Sequence, residues 1–122
     1  MPFFDIDNHP EMQLFDGVKI RTAYGEKIMM SFVYFEPNSL VPEHSHTHEQ
    51  MGMVMEGRFR LTVNGESKVV EKGDVYLVPS NAKHSAQALN DSAVALDIFS
   101  PPREDYKSNF SFQKKSLIKR KT

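Results

Sequence analysis

Apolar side chains recur at every second position along several short segments, and this alternation constrains the fold more than any other feature of the sequence. The segment RFRLTV (58–63) places Phe59, Leu61 and Val63 on one side of an extended chain and polar residues on the other. That pattern is typical of a strand with one buried face. The segment EKIMMSFVYFE (26–36) is apolar at nearly every position, which predicts a strand with both faces buried.

Turn residues separate these segments at intervals of about ten residues. Asn64-Gly65 is the strongest hairpin signal, because a two-residue hairpin turn favours residues that tolerate positive φ. Pro101-Pro102 ends the last predicted strand. Helical periodicity is weak outside the termini. Short strands at this spacing predict an all-β sandwich or small barrel.

Length, charge and composition exclude several classes of protein. With 122 residues the chain fits one domain. Its formal net charge of −1 provides no overall field to attract nucleic acid or an anionic membrane. Cysteine is absent, which excludes disulfides, thiolate ligands and Cys nucleophiles. No secretory signal and no apolar run of membrane-spanning length is visible, so we expect a cytoplasmic protein without nucleic-acid or membrane partners.

Residues 107–122, KSNFSFQKKSLIKRKT, form a basic C-terminal extension with six Lys or Arg residues and no acidic residue. Such a run is typical of a solvated chain end. The alternative is a tail that docks on an anionic partner. The first interpretation is favoured because the run is short and aromatic residues anchor its start.

The histidines are concentrated in one stretch, HSHTHEQ (44–50). His44, His46 and His48 occupy alternate positions, and Gln50 continues the alternation. On a strand, residues i and i+2 point to the same side, about 7 Å apart. Two neighbouring histidines can converge on one metal ion, but a straight row of four side chains cannot. A metal site therefore needs a bend in this stretch and a further ligand from another segment.

The remaining histidines differ in weight. His84 follows a predicted strand and turn, and it is a weak candidate by itself. His48 is redundant in spacing, so we interpret it as a pocket residue or a support for the ligands. His9 lies in a polar N-terminal segment and receives no role.

Two segments carry motifs that resemble those of the cupin family. NSLVPEHSHTHEQMGMVMEG (38–57) is similar to the first motif: Gly, five residues, H-x-H, three or four residues, Glu, six residues, Gly. GDVYLVPSNAKHSAQA (73–88) is similar to the second: Gly, five residues, Pro-x-Gly, two residues, His, three residues, Asn. The resemblance covers about residues 25–100. It implies a single cupin domain over residues 1–122, an all-β small double-stranded β-helix or jelly-roll barrel with short helical or irregular termini.

The cupin resemblance also implies one divalent metal ion, with His44, His46, Gln50 and His84 as its ligands. The chain departs from the motifs at several positions. Asn38 and Asn81 replace glycines, and asparagine also tolerates the left-handed conformation; Ala88 replaces an Asn that is not a ligand.

Gln50 replaces the usual Glu, and this departure matters most. Three imidazoles and an amide oxygen are all neutral, so the ion keeps its full +2 charge. A more positive ion is a stronger Lewis acid and prefers an anionic substrate or hydroxide. The identity of the metal stays open among Zn, Ni, Fe, Mn and Cu, because sites with N and O ligands take these ions according to supply.

Asp97 is the one charged residue in the apolar segment VALDIF (94–99). By alternation it shares a face with Ala93, Ala95 and Phe99. A buried carboxylate is costly unless it is paired or functional. Arg103 follows the Pro-Pro stop and could clamp a carboxylate through two hydrogen bonds. The alternative is that Asp97 pairs with Arg103 or another basic residue and only ties down the end of the strand.

The segment DIFSPPRED (97–105), together with a Gln-type first motif, resembles the KdgF-type cupins of pectin and alginate breakdown. This resemblance implies conversion of 4,5-unsaturated monouronates into linear keto forms, with Asp97, Phe99 and Arg103 as the catalytic set. Asp97 would move protons, Phe99 would pack on the sugar ring and Arg103 would hold the substrate carboxylate. A metal-dependent isomerase acting on a small anionic sugar is therefore expected.

Two other functions stay open at this point. A metal cupin dioxygenase would be favoured by Glu at position 50, and the Gln weakens it. A non-catalytic cupin that binds metal or sugar would be favoured by an apolar residue at position 97. Because small cupins commonly pair and exposed sheet edges need cover, we expect a homodimer.

Overall fold

Ten antiparallel strands in two sheets make up most of the computed structural model, which describes residues 2–107. The strands are β1 (Met12–Phe15), β2 (Val18–Tyr24), β3 (Met29–Phe35), β4 (Leu40–His44), β5 (Glu49–Glu56), β6 (Arg58–Val63), β7 (Glu66–Glu71), β8 (Val75–Val78), β9 (His84–Ala88) and β10 (Ala93–Ser100). Short 3-10 helices occupy Ile6–Asn8 and Glu104–Tyr106. The predicted all-β class is confirmed. Most of the basic extension, residues 108–122, lies outside the described residues.

The six-stranded sheet has the order β1-β2-β3-β10-β5-β8, and the four-stranded sheet has the order β4-β9-β6-β7. Strands that are distant in sequence are therefore neighbours, as in a jelly roll. In the six-stranded sheet β10 pairs with β5, and in the four-stranded sheet β4 pairs with β9. These two pairings bring the predicted site residues into one region.

The core forms between the inner faces of the two sheets. Phe35 on β3 stacks on Phe59 on β6 with ring centroids 4.9 Å apart, which joins the sheets directly. Burial alternates along β6 and β10, as the sequence predicted. Burying one such aromatic side chain contributes about 1.5–3 kcal/mol.

The strands β1 and β2 extend the sheet beyond the segment that the cupin motifs cover. All seven residues of β2 pair with β3. Val18 and Ile20 on β2 are fully buried in the core. The N-terminal residues are therefore part of the same core as the motif-bearing strands.

Left-handed backbone occurs where the sequence predicted it. Asn38 and Asn81, which replace motif glycines, have φ of 63° and 66°. Asn64 and Gly65 have φ of 49° and 81°, and they close the β6–β7 hairpin.

The outer face of the six-stranded sheet carries two rows of apolar side chains across four strands. We call these eight residues the outer apolar face: Met30, Ile98, Met51 and Leu77 in one row, and Phe32, Leu96, Met53 and Val75 in the other. Met51 is 49% exposed and Val75 is 62% exposed. The sequence predicted that both faces of β3 are buried, whereas the single chain fully buries only the inner one.

Candidate metal centre and active site

Three histidines come together where β4 and β9 pair. His44 ends β4, His84 begins β9, and the two are register partners. His46 follows in the irregular segment before β5, and the chain bends directly after it, at residues 47 and 48. One ligand nitrogen from each ring lies within 4.8 Å of the other two. The bend solves the geometric problem of a straight histidine row.

Backbone carbonyl oxygens orient all three rings through their Nδ1 atoms. The pairs are His44 Nδ1 with Pro42 O at 2.9 Å, His46 Nδ1 with His48 O at 3.0 Å, and His84 Nδ1 with Ala82 O at 2.8 Å. A carbonyl oxygen only accepts hydrogen bonds, so each Nδ1 carries the proton. The Nε2 lone pair of each neutral ring is then free to bind a metal ion, as in many metal sites.

Two of the histidines are held in their neutral form. Burial, together with the nearby positive charge of Arg103, lowers the pKa of His46 to about 4. Burial also lowers the pKa of His84. Only a neutral imidazole can act as a ligand, so both shifts favour metal binding.

Gln50 connects the histidine cluster to Asp97. Its side chain forms a hydrogen bond with the Asp97 carboxylate, and its Oε1 lies 3.1 Å from His46 Nε2. Because an ionised carboxylate accepts only, the Gln50 amide nitrogen is the donor to Asp97. The amide oxygen and the His46 lone pair then face each other. Two acceptors in this arrangement fit a shared cation, which supports the four-residue donor set.

Asp97 lies on β10 and is buried, with 8% of its surface exposed. It accepts a hydrogen bond of 2.6 Å from the Tyr76 hydroxyl and another from Gln50. Burial raises its pKa to about 6, although both hydrogen bonds and the charge of Arg103 act in the opposite direction. A carboxyl group with such a pKa can both accept and donate a proton near neutrality.

Arg103 is buried, and its ion-pair partner is Asp105. The guanidinium donates from Nη2 to Asp105 Oδ2 at 2.8 Å and from Nε to Oδ1 at 3.3 Å. Its Cζ lies 3.8 Å from the ring centroid of Tyr106. In the described part of the chain the carboxylate that pairs with Arg103 is thus that of Asp105, and the catalytic role of Asp97 stays a prediction.

Phe99 is packed among the groups of the site. Its ring lies edge-on to His46 with centroids 5.7 Å apart, and Arg103 Cζ lies 5.3 Å from its centroid. It lines one cavity together with other predicted site residues, namely His44, His84, Gln50, Asp97 and Arg103. The structure thus brings the predicted metal and catalytic residues into one place.

Sequence reasoning missed Tyr76, Asp105 and Tyr106. Alternation along VYLV places Tyr76 on the inner face with Val78, but nothing local shows that its hydroxyl reaches Asp97. The open role of His48 is partly answered, because its main-chain carbonyl orients His46.

Two facing antiparallel sheets, with a histidine cluster that could hold a metal ion beside the β4–β9 pair, form a cupin barrel. Residues 31–99 match the cupin domain family, and the chain belongs to this family. The predicted membership is confirmed. Among the described residues, no helix has the length and apolar character needed to cross a membrane.

Several known proteins and solved structures are similar to most of this chain. The chain is 31% identical to the pectin degradation protein KdgF of Dickeya dadantii, over 85% of this chain and 96% of that one. The structure of KdgF from Halomonas sp. superposes with a TM-score of 0.81 at 28% identity, over 88% of this chain and 99% of that chain. An RmlC-like cupin from Shewanella frigidimarina has a TM-score of 0.82 at 28% identity, covering 88% and 96%. These findings confirm the resemblance to KdgF-type cupins.

Proposed function

We propose that this protein is a metal-dependent enzyme that opens the ring of 4,5-unsaturated uronate monosaccharides and converts them into linear keto forms. The observation that carries the proposal is the contact between buried Asp97 and Gln50, which in turn faces the histidine cluster. The similarity to a pectin degradation protein supports the same substrate class.

The residues suit a substrate with a carboxylate, a hemiacetal and an enol ether. Arg103 would bind the carboxylate through the N–H groups that Asp105 leaves unused. Phe99 would pack on the sugar ring. A divalent ion held by the three histidines and Gln50 would polarise a ring or hydroxyl oxygen of the sugar. Its identity stays a prediction.

The proposed reaction is an isomerisation, so the substrate and the product contain the same atoms. The anomeric hydroxyl loses its proton and becomes an aldehyde, while the bond from the anomeric carbon to the ring oxygen breaks. The electrons of that bond stay on the ring oxygen, which becomes the oxygen of an enolate at C5. A proton then adds to C4 and gives the ketone. Asp97 accepts the first proton and delivers the second, so that one side chain acts as general base and then as general acid.

An NMR time course on 4,5-unsaturated galacturonate tests the proposal. We expect the wild-type protein to accelerate loss of the C4=C5 signals, and Asp97→Ala to lower the rate by about a hundredfold or more. Arg103→Ala should weaken substrate binding. Unchanged turnover in both variants would contradict the proposed mechanism. Oxygen uptake by the wild-type protein with other small substrates would identify a dioxygenase instead, and tight sugar binding without turnover would identify a binding protein.

We also propose that two copies pair through the outer apolar face. Both rows of this face are free of charged side chains, and a face of one chemistry can match itself across a two-fold axis. A contiguous exposed apolar patch on a protein surface is typical of an interaction site. The cytoplasmic location stays a prediction from the sequence.

A further inference from the structure

One row of residues crosses the inner face of the six-stranded sheet and contains Asp97. In strand order the row is Ser31 on β3, Asp97 on β10, Gly52 on β5 and Tyr76 on β8. Neighbouring strands lie about 4.8 Å apart, so a whole strand separates Tyr76 from Asp97. The Tyr76 hydroxyl nevertheless reaches Asp97 Oδ1 at 2.6 Å.

Gly52 supplies the space for this reach. A Cβ atom at position 52 would overlap with Asp97 Oδ1 and with the Tyr76 ring atoms Cζ and Cε1. The backbone of Gly52 is not among the positive-φ glycines, so torsional freedom is not the reason for glycine here. Its missing side chain is the opening through which the Tyr76 ring lies across β5.

We propose that Tyr76 is a positioning residue that holds the Asp97 carboxylate in its working orientation, and that Gly52 is the opening that Tyr76 requires. The inference rests on the proposed function, in which Asp97 transfers protons. Tyr76 and Gln50 both donate to the carboxylate and together restrict its rotation. On the other side, the buried Ser31 hydroxyl has no hydrogen-bond partner in the described part of the chain, so it does not share this task.

Tyr76→Phe is the sharpest variant, because it removes one hydroxyl and keeps the ring. We expect kcat for the unsaturated uronate to fall about tenfold to a hundredfold, with KM changed less than twofold. A hydrogen bond to a charged group has that size, and a group used only in the reacting complex affects kcat. Tyr34→Phe makes the same chemical change at a residue outside the site, and Ser31→Ala removes the unbonded hydroxyl beside Asp97. Both controls should retain wild-type kcat.

Gly52→Ala should lower kcat at least as far as Tyr76→Phe, since the new methyl group forces the Tyr76 ring or the carboxylate to move. Tyr76→Phe added to Asp97→Asn should cause no further loss, because both changes act on the same group. A full additional loss in the double variant would contradict the proposal.

Crystal structures of the wild-type and Tyr76→Phe proteins separate this inference from the proposed function. The carboxylate of Asp97 should rotate, or occupy two orientations, only in the variant. A single unchanged orientation together with unchanged kcat would overturn the positioning role while leaving the proposed function intact. If the wild-type protein turns over no unsaturated uronate, the proposed function fails and the orientation of Asp97 alone decides the inference. A fall in kcat in Ser31→Ala equal to that in Tyr76→Phe would also overturn it.

Discussion

Gln50 illustrates how one residue serves two neighbours. Because its side chain is an uncharged amide, an ion bound there would keep its full charge. The structure adds that its amide donates to Asp97 while its oxygen faces His46. A glutamate in the same place would lack the donor and would bring a second carboxylate against a buried one.

Gln50→Glu should therefore retain metal but lose activity. Like charges in contact destabilise each other, and the hydrogen bond to Asp97 would be absent. We expect turnover of unsaturated uronates to fall about tenfold or more, measured by NMR, with full metal content by elemental analysis. Wild-type turnover in this variant would show that the amide donor is unimportant.

His84→Ala should lower metal affinity more than tenfold, since even a group that only supports a ligand is worth about tenfold to a hundredfold. His48→Ala is the matched control, because it retains the carbonyl that orients His46 and should retain the metal. Elemental analysis after dialysis measures both. Equal metal content in the two variants would contradict the assignment of His84 as a ligand.

At the scale of strands, the sequence predicted most of the fold, because alternation and turn residues act locally. Residues 58–63 and the Asn64-Gly65 turn appear as expected. The contact of Tyr76 with Asp97 could not be predicted in this way. It depends on the order β10-β5-β8 and on the gap at Gly52, and both arise only when distant strands pair.

Substitutions of two turn glycines distinguish the cost of backbone strain from the cost of steric overlap. Both Gly57 and Gly65 have positive φ, but a Cβ at Gly57 would overlap with the Ser92 carbonyl oxygen, while at Gly65 nothing lies within 4 Å. Gly65→Ala should cost about 1–2 kcal/mol of unfolding free energy. Gly57→Ala should cost about 1–3 kcal/mol more. Urea denaturation measures the difference, and equal values would show that the β5–β6 junction adjusts freely.

At the scale of the whole molecule, the two-faced apolarity of β3 finds its explanation in the proposed pairing. Met51→Glu places a charge at the centre of the outer apolar face and should convert a dimer into a monomer, as measured by light scattering. Leu40→Glu is the matched control, since Leu40 is 46% exposed on the other sheet. If the wild-type protein is a monomer, or if Met51→Glu remains a dimer, this face is not the interface.

The three carbonyl oxygens that orient the histidine rings belong to the main chain of residues 42, 48 and 82. A substitution at these positions changes the side chain and leaves the carbonyl in place. Natural drift can therefore alter all three residue types without disturbing the ligands, and a comparison of sequences would pass over them. Substitutions at the same positions can change the charge around the cavity while the imidazole rings keep their orientation.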